Sequence, residues 1–456
     1  MISLSLPTLA RVVGADPGDL PDVDFTGVTI DSRQPCDGKL FVAIKGANFD
    51  GHGFVDAAYR SGATVALVEK RQQSDITQVE VGDCMQALAM LANYWRHQCD
   101  PCVIALTGSN GKTTVKEMLH QILESQAATL ATRGNLNNDI GVPLTLFELA
   151  PNHQFAIVEM GANHRGEIAN LATIAEPDIV YVNNVAAAHL AGFGDVQGVI
   201  ESKGELYAYC GPEQQALFNA DEVASRYWHG ICAARSQLTC GMDNAADVSA
   251  SWSLVDEALR VEFNYRGETR ACTLGVLGEH NVRNALAAVS LAILAGFEFE
   301  IAVANLEGFS GVKGRLQIIP GPARSRLIDD SYNANPQSLH AGIKVLCSLQ
   351  GSPWLALGDM AELGDDAAEL HRQAGVFARE LGVEKLFAVG EMSCIASEEF
   401  GASGYCFEAI EEMAEAILSQ IHQRVNLLIK GSRSAGMERL VALLNQSVNR
   451  GDVNAV

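Results

Sequence analysis

One apolar run that ends in two glycines and a lysine constrains this chain more than any other feature: Val103-Ile-Ala-Leu-Thr107-Gly108-Ser109-Asn110-Gly111-Lys112-Thr113-Thr114. Residues 103–106 read as a buried strand and residues 114–123 as a helix. Between them, Gly108 and Gly111 let the backbone bend and come close to a ligand, so that successive amide N–H groups point at phosphate oxygens. Lys112 then meets the outer phosphates and Thr113 offers a hydroxyl to Mg2+, with the positive end of the helix behind the anion. The standard form of such a loop has a further glycine six residues before the lysine, where this chain has Leu106. The loop is therefore the shorter Thr-Gly-x-x-Gly-Lys-Thr-Thr form. The apolar strand and both glycines favour a site for ATP or a relative over a glycine-rich turn with a solvent lysine.

A chain of 456 residues is too long for one core and predicts about three domains. Its 55 acidic side chains against 32 Lys and Arg give a net charge of −23, which argues against nonspecific nucleic-acid or anionic-membrane binding. No segment reaches the roughly eighteen uninterrupted apolar residues of a membrane span, and Met1-Ile-Ser-Leu-Ser-Leu-Pro7 lacks the basic start and apolar core of a signal peptide. The expectation is a soluble cytoplasmic protein with no membrane insertion, and a monomer. Eleven cysteines without repeated spacing predict reduced thiols. Cys99 and Cys102 have the spacing of a redox or metal pair, but no second such pair exists and the plain structural reading prevails.

The fold class is α/β in three domains, 1–83, 84–313 and 314–456. In the first, short strands around 29–33 and 38–46 precede a helix at 56–63 and a strand at 64–68. In the second, apolar strands at 103–106, 155–158 and 179–182 alternate with helices, which argues for a parallel sheet covered on both faces. Between 238 and 277 the pattern changes to alternation around Arg266-Gly267, an antiparallel patch on that sheet. After Gly314, strands at 325–329, 354–357, 385–389 and 426–429 give a second, Rossmann-like unit, without the GxGxxG of a dinucleotide site.

Polar clusters follow several of these strands, where open α/β sheets bind ligands. Glu159 follows 155–158 and can share with Thr113 a Mg2+ ion, which takes few protein oxygens and fills its shell with phosphate and water. His189 follows 179–182. Several motifs recur in order along the chain: Asn135-Leu-Asn137-Asn138-Asp-Ile-Gly141, Glu159-Met-Gly-Ala-Asn163, Asn183-Asn184 with His189, Glu201-Ser-Lys203-Gly-Glu205, Gly278-Glu-His280-Asn281-Val-Arg283-Asn284, Gly314-Arg315 and Asp329-Asp330-Ser-Tyr332-Asn333-Ala-Asn335. Together with the glycine loop they make the chain resemble the Mur ligase superfamily over nearly its whole length. Asp330 to Ser338 and Leu357-Gly-Asp359-Met-Ala-Glu362-Leu-Gly364 look like the branch that adds D-alanyl-D-alanine to UDP-N-acetylmuramoyl tripeptide.

That resemblance implies an ATP-dependent amide-forming enzyme of a bacterial cytoplasm, working through an acyl phosphate with two Mg2+ ions. It implies that Gly108, Ser109, Asn110, Gly111, Lys112 and Thr114 hold the phosphates, and that Thr113 and Glu159 hold the first Mg2+. His189 and a carbamylated Lys203 would position the second. Asn281, Arg283 and Asn284 would face adenine, Arg315 the phosphates and Asp330 the ribose. Tyr332 and Asn335 would meet nucleotide or incoming amine. Ser32, Arg33 and Lys45 would bind the UDP substrate, Asn137 and Asn138 would lie by metal or phosphate, and Lys430 and Arg433 would take substrate carboxylates. Because these residues come from two domains, closure about a hinge at 312–314 is expected. The alternatives are a sister ligase, including one resembling folylpolyglutamate synthetases, and a non-ligating ATP-dependent switch.

Overall fold

Short parallel strands and one long mixed sheet divide the work of this molecule. The computed structural model describes residues 1–46, 49–186, 190–255 and 258–451. At the N-terminus β1 (Ser3–Ser5) pairs antiparallel with β2 (Asp24–Thr26). A parallel sheet follows in the order β3 (Val28–Thr29), β4 (Leu40–Val42), β5 (Val65–Val68) and β6 (Thr77–Glu80). The expected helix before β5 covers Val55–Arg60 and ends at Gly62, whose φ of +96° suits only glycine.

The central sheet is built from β7 (Cys102–Thr107), β8 (Thr129–Ala131), β9 (Phe155–Glu159), β10 (Ile179–Val182), β11 (Gln215–Asn219), β12 (Ser236–Gly241), β13 (Val248–Val255), β14 (Ala258–Tyr265) and β15 (Glu268–Leu274). Their order is β15-β14-β13-β12-β11-β10-β7-β9-β8. Pairing is parallel from β8 to β13 and antiparallel from β13 to β15, with the β14–β15 turn at Arg266 and Gly267 as expected. β7 is apolar up to its last residue, Thr107, because both of its faces are covered. On one face lie the helices Cys84–Cys99, Gly141–Phe147, Glu167–Ala175 and Val196–Ala208, in a core that also takes in Phe25, Leu40 and Leu67 of the N-terminal unit. On the other lie Lys112–Glu124 and Glu279–Leu294.

The last unit has β16 (Gln317–Pro320), β17 (Arg326–Asp330), β18 (Ser352–Gly358), β19 (Lys385–Val389), β20 (Gly404–Phe407) and β21 (Val425–Lys430), in the order β16-β17-β21-β18-β19-β20. Only β16 runs antiparallel. Helices Pro336–Ser348, Ala367–Glu380 and Glu391–Phe400 cover one face, and Ile410–Leu418 and Glu438–Gly451 the other. This is the doubly wound arrangement expected.

One expectation needs correction. Cys394 and Cys406 are joined as a disulfide, because helix Glu391–Phe400 packs on the next strand, β20, and brings their Cα atoms to 5.2 Å. The other nine cysteines are free. Burial pushes the Cys99 thiol up and the Cys102 thiol up to about 12, so that spacing carries no reactive pair. Among the described residues no helix is long and apolar enough to cross a membrane.

Candidate active site

β7 stops where its last residue, Thr107, stands opposite Val182 of β10, and the strand order turns outward in both directions from this point. The glycine loop fills that crevice. A Cβ on Gly111, whose φ is +79°, would lie 2.4 Å from Asn284 Oδ1 and 2.6 Å from Asn183 Nδ2. The helix Lys112–Glu124 therefore begins two residues earlier than expected, with Gly111 at its N-cap position.

Amides hold the loop. Asn184 Oδ1 accepts from Asn110 N at 2.8 Å, and Asn183 Nδ2 and Asn184 Nδ2 both donate to Asn110 O, at 2.8 and 3.1 Å. Asn183 Nδ2 also reaches Asn284 Oδ1 at 3.2 Å, Asn284 Nδ2 donates to Asn281 Oδ1 at 3.2 Å, and Asn281 Nδ2 caps Leu277 O at 2.8 Å. From the C-terminal unit, Asn335 caps helix Pro336–Ser348 through Ser338 N and donates to Asn110 Oδ1 at 2.8 Å. Gln337 accepts from Asn110 at 2.8 Å.

Charged groups sit inside this frame. Lys112 Nζ folds back onto the carbonyls of Gly108 (2.6 Å) and Ser109 (3.4 Å); burial pushes its pKa down, against the pull of Glu159. Thr113 Oγ1 donates to Glu159 Oε2 at 2.9 Å and accepts from Arg315 Nη2 at 2.9 Å, while Asn137 Nδ2 donates to Glu159 Oε1 at 2.9 Å. Asn138 caps the start of the next helix by accepting from Gly141 N at 2.8 Å. Lys203 is buried, and desolvation followed by the charge of Lys112 pushes its amine down to about 7, with Glu205 opposing. His189 lies outside the described residues.

Arg283 is fixed by three carboxylates, Asp221 (2.7 Å), Asp243 (2.8 Å) and Glu279 (2.7 Å). Two guanidiniums lie over the Tyr332 ring, Arg315 at 4.3 Å and Arg433 at 5.8 Å from its centre. Lys430, expected on substrate carboxylates, is buried against Asp330 Oδ2 at 2.5 Å and donates to Asn333 O. Asp330 also accepts from Leu316 N at 3.2 Å, and its desolvation raises its pKa against the attraction of Lys430.

These groups surround one cavity of about 1690 Å3 between the central and C-terminal units. Ser109 to Lys112, Thr114, Asn137, Asn138, Glu159 and Lys203 line it from one side, and Arg315, Asp330, Tyr332, Asn335, Lys430 and Arg433 from the other. Ser32, Arg33 and Lys45 do not border it: Arg33 is exposed and forked onto Asp31, whose carboxyl it holds at about 2, and Lys45 sits at a bridge to Asp50. The structure adds residues that were not assigned roles from the sequence. Asn183, Asn184 and Gln337 shape the loop, and their position just past a strand or helix start was the available signal. His280, beside Asn281, borders the cavity with its pKa pushed down to about 4 by burial and by Lys430. Lys116 is fully buried, bonded to Thr132 O and paired with Glu117 at 2.8 Å; nothing in the sequence marks it apart from its place one turn after Lys112.

Three family models match successive stretches of the chain. Residues 24–96 match the family model "Mur ligase family, catalytic domain", 106–292 "Mur ligase middle domain", and 314–433 "Mur ligase, glutamate ligase domain". The chain is 38% identical over 452 residues to the UDP-N-acetylmuramoyl-tripeptide–D-alanyl-D-alanine ligase of Escherichia coli, covering 98% of this chain and 99% of that one. It is 36% identical over 466 residues to the ligase of the same name from Haemophilus influenzae, covering 98% and 100%. A crystal structure of MurF from Acinetobacter baumannii superposes with a TM-score of 0.91 at 35% identity, covering 98% and 99%. MurF ligase from Thermotoga maritima in complex with ADP superposes with a TM-score of 0.82 at 25% identity, covering 93% and 98%. With relatives aligned from end to end and each of its three parts matched, the chain belongs to the Mur ligase family and groups with its MurF members.

Proposed function

We infer that this chain joins D-alanyl-D-alanine to UDP-N-acetylmuramoyl tripeptide at the expense of ATP, in the making of a peptidoglycan precursor. The observation that carries this reading is the 38% identity to a ligase of that name across 98% of the chain. The two-sided cavity supports it, since such a reaction needs a nucleotide and two further substrates in one enclosed place. We assign residues 1–83 to UDP-substrate binding, 84–313 to ATP binding and 314–456 to completing the nucleotide site. The reading also places the enzyme in a bacterial cytoplasm, as a monomer, with no nucleic-acid partner.

The terminal carboxylate of the tripeptide attacks the γ-phosphorus of ATP, forming an acyl phosphate and releasing ADP. The amine of D-alanyl-D-alanine then attacks the acyl carbon, loses a proton, and the tetrahedral intermediate expels phosphate to leave the amide. Lys112 exchanges the carbonyls of its own loop for phosphate oxygens, and Arg315 adds positive charge from the other side of the cavity. Tyr332 and Arg433 lie on that side, where the incoming amine must approach.

The residues fit Mg2+: Thr113 Oγ1 and Glu159 present hard oxygen donors 2.9 Å apart, and Mg2+ takes only one or two carboxylates. Thr113 and Glu159 would hold one ion. Lys203, as its carbamate, would help hold a second with His189. The depressed amine of Lys203 supports this, because only the neutral amine adds CO2. Bound Mg2+ supplies charge neutralisation between like-charged phosphates and carboxylates.

The test is phosphate release from ATP with UDP-N-acetylmuramoyl tripeptide present and D-alanyl-D-alanine, single amino acids or nothing as the amine. Release that requires the dipeptide is expected. Stimulation by a single amino acid would move the chain to a sister ligase, and release indifferent to every amine would make it an ATP-dependent switch.

A further inference from the structure

We propose that Trp252 is a stacking wall for the purine ring of the nucleotide, an inference that rests on reading the cavity as an ATP site. β13 is in register with β12 only at Val248 and Ser249, so the rest of the strand runs on past the carboxyl end of β12. Alternation along the strand puts Val248, Ala250 and Trp252 on one face. Val248 and Ala250 are buried in the core that includes helix Glu279–Leu294. Trp252, two residues on, reaches beyond that cover and is 40% exposed, although its neighbour across the hairpin, Val261, is fully buried.

Topology fixes which end of the cavity this is. Arg283 is held by Asp221, just after β11, and by Asp243, just after β12. The next strand in the sheet is β13, and Trp252 borders the same cavity as Glu279 and Arg283. From the opposite side comes helix Pro336–Ser348: a Cβ on Gly278 would lie 2.8 Å from Val345 Cγ2, and Lys344 borders the cavity beside it. A cavity lined largely by amides and charges thus has an indole on its border at this end. Trp95, Trp228 and Trp354 are at most 8% exposed, so of the four tryptophans only Trp252 is open to the cavity and solvent. A flat π-system is what an indole face accepts, and stacking needs no particular base-edge pattern.

The experiment uses the full chain and two readouts. In steady-state kinetics, Trp252→Ala is expected to raise the KM for ATP about tenfold with kcat held within about twofold and the KM for D-alanyl-D-alanine unchanged, and Trp252→Phe to keep most of the affinity. In fluorescence titration, ADP with Mg2+ is expected to quench the wild-type emission, UDP to leave it unchanged, and Trp252→Phe to abolish the response, since the remaining tryptophans are buried. An unaltered KM for ATP in a folded Trp252→Ala, a quench that survives in Trp252→Phe, or a quench by UDP alone would overturn the proposal. Because the titration reads binding, it stands even where turnover fails to depend on the amine; absence of any ADP binding to the wild-type chain would instead sink the reading of the ATP site.

Discussion

Arg315 Nη2 lies 2.9 Å from Thr113 Oγ1, so the first arginine of the C-terminal unit touches the hydroxyl that follows the glycine loop. The same oxygen donates to Glu159. One hydroxyl thus reports the position of a whole domain. Arg315→Ala is expected to lower kcat about a hundredfold while changing the KM for the tripeptide much less, and Arg315→Lys to restore little, because an ammonium lacks the planar fork of the guanidinium. Steady-state kinetics on both variants checks this; a lysine variant near wild type would remove the geometric part of the argument. X-ray scattering with and without an ATP analogue and UDP substrate tests the accompanying closure about 312–314.

Lys112 is held on its own loop's carbonyls, which the proposed reaction would have it exchange for phosphate oxygens. Replacing it with alanine is expected to cost about 3 kcal/mol of transition-state stabilisation, about a hundredfold in rate. Turnover close to normal in Lys112→Ala would refute its role.

Gly111→Ala places a methyl group 2.4 Å from Asn284 Oδ1 on a backbone at φ +79°. The loop must move. Calorimetric titration with ADP is expected to show at least a tenfold loss of affinity, with a lower thermal midpoint from about 1–2 kcal/mol of left-handed strain. Unchanged affinity would mean that the asparagine frame does not set the shape of the loop.

Lys203 loses its proton near pH 7 in the fold and, when unfolded, near the 10.5 of an ordinary lysine. Between those values the unfolded chain binds the extra proton, so stability contributed here rises with pH across that window, and it is lowest below pH 7. Urea midpoints against pH should show that rise in the wild type and not in Lys203→Met. The free amine, and with it carbamate formation, also declines below pH 7. Activity after removal of CO2 is therefore expected to recover on adding bicarbonate, and to recover less at pH 6 than at pH 8; indifference to bicarbonate would count against the carbamate.

His280 acts with the same sign in a more acidic window. Its pKa in the fold is about 4 against an ordinary 6.5, so it stays neutral while the unfolded chain takes up a proton. Stability is undiminished above pH 6.5 and falls as the pH drops toward 4. His280→Asn is expected to flatten that limb of the urea midpoint, and an unchanged slope would show that another group causes it.

What could be read from the sequence was chemistry that one segment carries by itself. The glycine loop, Glu159 at the end of β9 and the Arg266-Gly267 turn each announce their geometry within a few residues. Lys430 does not, because its partner Asp330 is 100 residues away: the two meet only because β17 and β21 pair in parallel with those residues in register. Cys394 and Cys406 likewise meet through helix-on-strand packing that spacing alone does not reveal. Arg33 and Lys45 are surface residues with local partners, and nothing in their short loops encodes distance from the cavity. Nothing in the sequence around Trp252 marks it, because its position depends on the stagger by which β13 overhangs β12.

The frame around the glycine loop is made of asparagine side chains, Asn110, Asn183, Asn184, Asn281, Asn284 and Asn335. Side-chain amides neither gain nor lose protons in the range where carboxylates, imidazoles and a depressed lysine do. The mould is therefore insensitive to acidity while its contents are not. A change of pH alters the charges held in this site while leaving the amide bonds that shape the glycine loop unchanged, so the loop should keep its form at pH values where the charges around it have already shifted.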